Sequence, residues 1–200
     1  MKVILNQITY SWRHHGRRVA LGIAGFQLQR LVVGALFRLA PGPKITWGRG
    51  VTVRGRCRIS GDGQVIFGDR CIIAATEGDS TELVVTNGAT LTVGPGCYLN
   101  GPRIYVTDSV TIGANCLIGA TISDSDFHGL RPEERDRPRS APIIIDDDCW
   151  VAGDTMVFKG VHIGRGAVVG AGATVRTDVA AGSVVIGDPH VVVKTIDLDD

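Results

Sequence analysis

Large apolar residues recur every six positions through the C-terminal half of the chain. Ile145, Val151, Val157, Ile163, Val169, Val175 and Ala181 share one phase. Four places after each of the first six comes a second small or apolar residue: Cys149, Thr155, Val161, Ala167, Ala173 and Val179. A small residue often follows the first position, as at Ala152, Gly164, Gly170 and Gly182. Inward and outward positions that alternate, with a break every six residues, predict short strands joined by turns. The same pattern runs less regularly through the earlier part, with Val53, Ile59, Phe67, Ile73, Val93, Leu99, Ile112 and Ile118 at the large position. Steps of eight, such as Ile59 to Phe67, predict two-residue bulges at corners.

Three such strands close a triangular coil, and each coil can bury its apolar corners only on its neighbours. The expected fold is therefore mainly β, a parallel β-helix of hexapeptide repeats over residues 45–187. The glycines of Val161–Val175 (VHIGRGAVVGAGATV) are spaced somewhat like a phosphate-binding loop. Such a loop must open a helix, whereas Val168, Val169, Thr174 and Val175 are β-branched, so the stretch reads as repeat. Each of the five cysteines, Cys57, Cys71, Cys97, Cys116 and Cys149, stands four places after a large apolar residue, which assigns them to one inward slot. They form no CxxC pair and no zinc spacing, and the reading is reduced core thiols in a cytosolic protein.

The rhythm is absent from residues 1–44, which read as a basic, apolar helical extension of one or two helices ending at Pro41-Gly42-Pro43. The net charge of +1 hides an asymmetry: residues 1–61 hold eleven Lys or Arg and no acid, while the rest hold ten basic residues and all twenty acidic ones. No apolar run reaches the ~20 residues that a bilayer crossing needs, and no secretory signal is evident. Two readings of the extension stand: it caps the open end of the coils, or it caps them and also rests, through residues 1–40, on an anionic membrane face. Nucleic-acid binding is not expected, because no stacking aromatics interleave the basic residues. Residues 188–200 read as a C-terminal tail.

The second break, a charge-dense protruding loop at 123–142, interrupts the repeats themselves. Solenoids place insertions on one face, often the binding face, and loops of this length are usually functional or disordered. Within it His128 follows Asp124 and Asp126. Imidazole exchanges protons near neutral pH; the alternative is a solvated loop histidine.

The repeats, the looped-out histidine in DSDFHGLRPEER, the segment Cys149-Trp150-Val151-Ala152 and the ending GSVVIGDPH (182–190) together resemble the hexapeptide-repeat O-acetyltransferases. The nearest branch is the maltose/galactoside and surface-polysaccharide sugar acetyltransferases. That family's ending usually runs GSVVxGNPxKV, whereas this chain has Gly187-Asp188-Pro189-His190-Val191. The resemblance covers about residues 45–195 and implies a left-handed coil and a homotrimer. It also implies acetyl-CoA as acyl donor, a sugar or glycan hydroxyl as acceptor, and His128 as general base. On the cofactor side it points to Trp150, Ala152, Gly153 (whose backbone N–H would face the oxyanion), Ala171, Arg176 and Lys194. On the acceptor side it points to Asn100, Asp124 and Asp126, with hydrogen bonding to sugar, orientation of His128 or plain solvation open for the two aspartates. Plain core or surface roles stand beside each of these. A cytoplasmic location follows, with the inner membrane face if the extension binds lipid.

Three other readings remain. The acceptor could be an amine of an amino or nucleotide-linked sugar, or the β-helix could be a non-catalytic scaffold. A metal centre like that of γ-class carbonic anhydrase needs three converging histidines, and His14, His15, His128, His162 and His190 show no such spacing, so no metal site is expected.

Overall fold

The structure is a computed structural model that describes residues 42–75, 80–86, 88–128, 139–187 and 191–195. The expected helical extension lies outside the described residues except for its last three positions, of which Lys44 already begins a strand. The expected membrane contact through 1–40 and the tip of the protruding loop, 129–138, also lie outside them.

Every regular element among the described residues is a strand. The first three coils are β1 (Lys44–Trp47), β2 (Thr52–Arg54), β3 (Cys57–Gly61); β4 (Gln64–Phe67), β5 (Ile72–Ala74), β6 (Thr81–Val85); and β7 (Thr90–Val93), β8 (Tyr98–Asn100), β9 (Arg103–Val106). The next three are β10 (Ser109–Ile112), β11 (Leu117–Ile118), β12 (Thr121–Ser123); β13 (Ile143–Ile145), β14 (Trp150–Val151), β15 (Met156–Phe158); and β16 (His162–Ile163), β17 (Val168–Val169), β18 (Thr174–Val175). Then come β19 (Ser183–Ile186) and β20 (Val191–Thr195).

Each third strand pairs in parallel with its predecessor, giving three sheets: β1-β4-β7-β10-β13-β16, β2-β5-β8-β11-β14-β17-β19-β20 and β3-β6-β9-β12-β15-β18. This is a left-handed parallel β-helix of hexapeptide repeats. Register keeps like positions above one another. Leu99, Ile118, Val151 and Val169 stack inside the second sheet, and Ile104, Ile122, Val157 and Val175 inside the third. All eight are buried. Burying each such side chain is worth about 1.5–3 kcal/mol, so the core is a column the length of the stack. At its first rung the Trp47 and Phe67 rings stack 4.9 Å apart.

Two details depart from the periodicity. Ala181, expected inward, is exposed. After Val175 the chain turns early: Val179 bridges to Ile163 in the first sheet, and Val185 pairs with Val169 in the second. The last coil is thus shorter than its neighbours, and Val179 takes the slot that unbroken sixes would give to Ala181. The five cysteines also do not share one slot. Cys71, Cys97, Cys116 and Cys149 form one buried column just before the second sheet, where each thiol donates to a carbonyl of the next coil: Gly94 at 3.1 Å, Gly113 at 2.9 Å, Asp146 at 3.1 Å and Gly164 at 3.2 Å. Cys57 instead opens the third sheet, in register with Thr81. Counting four from an apolar residue finds a strand start, but each of the three corners offers one, as Cys149, Thr155 and Val161 show in turn.

Within the C-terminal tail, β20 pairs antiparallel with β19 and covers the exposed edge of the second sheet.

Candidate active site

The corners between the third and first sheets form a column, and the protruding arm leaves it after Ser123 and rejoins it before Ile143. Its two legs are joined at the neck by an antiparallel bridge between Ser125 and Ser140. Asp126 N–H donates to Arg139 O at 3.2 Å, and Ala141 N–H donates to Asp124 O at 2.9 Å. Asp124 is fully buried, which costs several kcal/mol unless its charge is satisfied. The preceding coil satisfies it. Thr107 N–H (2.8 Å) and Thr107 Oγ1 (3.0 Å) donate to Oδ1, and Asp108 N–H (2.8 Å) donates to Oδ2. From the following coil, Lys159 pairs through Nζ with the Asp126 carboxylate and donates to the Arg139 carbonyl at 3.3 Å. Gly160 N–H donates to Ala141 O at 3.1 Å.

Beyond the neck the outgoing leg makes a tight turn. His128 N–H donates to Asp126 O at 2.7 Å across Phe127, whose φ is +62°. That is a γ-turn of the strained hand, and a bulky side chain at positive φ is an outlier that costs on the order of 1–3 kcal/mol. Phe127 N–H donates to Ser125 Oγ at 3.0 Å. The Phe127 ring is 48% exposed and meets Tyr105 edge-on at 5.9 Å. Burial, reinforced by the Glu82 carboxylate that its hydroxyl approaches at 3.4 Å, holds the Tyr105 phenol above its ordinary range. His128 itself is exposed, so its imidazole is open to exchange a proton with a group that approaches it.

The other expected residues lie elsewhere. Asn100 ends β8, Ala152 and Gly153 follow β14, and Ala171 follows β17, all at the corner between the second and third sheets. There the backbones of successive coils close up: a methyl added at Gly119 would sit 3.1 Å from Gly153 N. The outer side of Gly153 is open, since a methyl there meets nothing within 4 Å. Trp150 stands 52% exposed on the outer face of the second sheet, in register between Leu117 and Val168. Arg176 follows β18 and holds its guanidinium 5.3 Å over the Phe158 ring. Lys194 lies on β20 opposite Val184.

Eight of the ten candidates therefore fall at two corners, at opposite ends of the third-sheet strands, while Trp150 lies on the second sheet's outer face and Lys194 on β20. His128, Asp124, Asp126 and Arg176 share the arm's corner, and Asn100, Ala152, Gly153 and Ala171 share the other. One copy of the chain does not bring them together. Asp124 is buried in the neck, whereas Asp126 is exposed and is paired there with Lys159. Sequence reasoning missed Lys159, which is 33 residues from Asp126. Only the register of the coils could have brought the two together, and the arm's length hides that register. Among the described residues no three His, Cys, Asp or Glu converge as a metal-holding group. His162 faces outward, with Nε2 3.0 Å from Asp146.

Comparison with known proteins matches two stretches, residues 109–123 and 142–176, to the hexapeptide repeat of succinyl-transferase. The stretches flank the arm and omit it. A curated relative, 2,3,4,5-tetrahydropyridine-2,6-dicarboxylate N-acetyltransferase of Staphylococcus aureus (strain JH9), is 46% identical over 57 residues, which is 28% of this chain and 24% of that protein. The match thus spans about a quarter of the relative's length. Among solved structures, the polySia-specific acetyltransferase NeuO is 26% identical with a TM-score of 0.53, covering 77% of this chain and 86% of its own. The polysialic acid O-acetyltransferase OatWY, at 18% identity, covers 76% and 85% with a TM-score of 0.57. A hexapeptide transferase family protein from Anaplasma phagocytophilum, at 15%, covers 78% and 81% with a TM-score of 0.52. The last two show likeness of fold.

Proposed function

We propose, from the premise that this chain belongs to the hexapeptide-repeat family of left-handed β-helix proteins, that it transfers an acetyl group from acetyl-CoA to a hydroxyl of a sugar or glycan precursor. His128 is the general base. The observation that carries this reading is the arm: an otherwise regular stack extends one neck, anchored from both adjacent coils, to hold an exposed imidazole on a strained turn. The likeness to NeuO, an acetyltransferase specific for polysialic acid by its description, supports a glycan acceptor.

In the reaction, the acceptor hydroxyl attacks the thioester carbonyl carbon while His128 takes the hydroxyl proton. The tetrahedral intermediate then collapses, the carbon–sulfur bond breaks, and the leaving sulfur receives the proton from His128. An O-acetyl ester and free CoA thiol result, with the imidazole neutral again. A base positioned in this way is worth ~10²–10⁴-fold, and a backbone donor such as Gly153 N–H adds oxyanion stabilisation.

Because the arm and the Trp150, Ala152, Gly153 and Ala171 surface lie at different corners of the stack, the complete site takes His128 from one copy and that surface from a second, as a closed homotrimer provides. Arg176 and Lys194 offer charge to the CoA phosphates, and Asn100 lies on the acceptor side. The basic N-terminal residues support a cytoplasmic enzyme working at the inner membrane face on a polymeric or lipid-linked acceptor. Flotation with anionic liposomes at low salt tests that location, and absence of co-migration removes it.

N-acetylation is a second reading, favoured by the N-acetyltransferase activity named for the curated relatives. An amine nucleophile uses the same base, so His128 serves both.

The deciding experiment is His128→Ala, followed as acetyl-CoA consumption against free, nucleotide-linked and lipid-linked sugars bearing hydroxyl or amino groups. Turnover falls at least ~100-fold, with the assembly unchanged in sedimentation. Near-normal turnover would remove His128 from its role, and the acceptor that responds separates O- from N-transfer.

A further inference from the structure

We infer that Lys159 is a positioning residue for His128, a staple that crosses both legs of the arm's neck and holds the strained turn on which the imidazole sits. This rests on the function proposed above.

The geometry of the neck carries the inference. Lys159 sits in the turn after β15, at the same corner of the following coil as the point where the arm departs. Its single ammonium reaches two groups on different legs: the Asp126 carboxylate on the way out and the Arg139 carbonyl on the way back. An ammonium has three donors, which suits one group spanning two acceptors. Asp126 is also the residue whose carbonyl receives His128 N–H. Lys159 therefore fixes both the side chain and, through it, the backbone oxygen that closes the turn over Phe127.

A turn of positive φ at phenylalanine persists only where its surroundings over-determine it. Four contacts act directly on this one: the Ser125 Oγ bond to Phe127 N–H, the Asp126 N–H bond to Arg139 O, the Tyr105 ring edge-on to Phe127, and the Lys159 grip on Asp126, which alone joins a side chain of the turn to the next coil. The rest of the neck is held separately, by the Ser125–Ser140 bridge and by Asp124 on the Thr107–Asp108 turn. Loss of the ammonium would thus leave the β-helix and the neck's base in place and release the turn alone. Phe127 would relax toward negative φ and carry the imidazole with it. A displacement of about 1 Å at a reacting group can cost ~10²-fold in rate.

The test compares Lys159→Met, Lys159→Arg and His128→Ala in the full-length protein. Met keeps the aliphatic stem and removes the charge. Lys159→Met should lower kcat by about 10–100-fold and leave the KM for acetyl-CoA within about twofold. It should also speed amide exchange in the peptide covering 124–128 by about tenfold, because the closing hydrogen bond opens. Lys159→Arg should restore most of both. Phe127→Gly added to Lys159→Met should recover part of the lost kcat, since glycine reaches positive φ without penalty. Unchanged kcat in Lys159→Met alongside an inactive His128→Ala would overturn the staple while sparing the function. If His128→Ala turns over normally, the proposed function falls, and amide exchange alone decides whether Lys159 holds the turn: unchanged exchange overturns it.

Discussion

Asp124 shows how a residue placed for chemistry by its neighbours in sequence can be placed for structure by its neighbours in space. Its carboxylate is buried and accepts from two backbone N–H groups and one hydroxyl. Asp124→Ala should strand those donors and cost about 1.5–3 kcal/mol, seen as a Tm several degrees lower, whether or not the protein is active. Cys57 makes a second single-residue case. Burial pushes its thiol from an ordinary value of 9.0 up to about 12. Between those values the unfolded chain has already lost this proton and the native state has kept it, so the native state binds more protons and stability falls as pH rises through that range. Cys57→Ala should flatten the alkaline decline in the urea midpoint; an unchanged slope would mean that other groups carry it.

At the scale of the elements, the corners set what the strands can do. Where the first sheet turns into the second, glycines let successive coils approach closely. A methyl on Gly94 would lie 2.5 Å from the Gly113 carbonyl carbon, and one on Gly68 would lie 2.5 Å from Pro95 N. The Cys71 and Cys97 thiols donate to the carbonyls of Gly94 and Gly113 at this same corner, so small backbone and small side chain act together. Gly94→Ala should therefore destabilise by about 1–3 kcal/mol or more through overpacking. Gly153→Ala, at an open corner, should stay within about 0.5 kcal/mol of wild type. Paired melting curves separate the two. Equal tolerance at Gly94 would show that the coils part more easily than their spacing implies.

At the scale of the whole β-helix, stability is a sum of contacts between neighbouring coils, so insertion of an arm in one coil is tolerated as long as its two ends meet at the corner. Here they meet through the Ser125–Ser140 bridge. Acetyl-CoA at one hundred times its Kd should stabilise the native state by about 2.7 kcal/mol, read as a higher Tm. Since the candidates sit at two corners, that shift should depend on assembly. A monomeric preparation that still shows the full shift in Tm would refute a site shared between copies.

The repeat of six, with its β-branched fillers, was enough to determine strands, coils and stacking, because side-chain period and corner spacing are local properties of the chain. It located the arm as well, since an interruption of a strict rhythm is visible without coordinates; His128 within it was picked by the proton chemistry of imidazole and by the family resemblance, not by the period. It erred at Ala181 and Cys57, because neither a shortened coil nor the choice among three corners is visible in one dimension. Only the tertiary structure decided which coil faces the arm, and hence that Asp124 grips Thr107 and Asp108 behind it while Lys159 crosses Asp126 and Arg139 ahead of it. The physical reason is register: residues dozens of positions apart become neighbours one strand spacing away, and the length of the inserted arm conceals that distance from any count along the sequence.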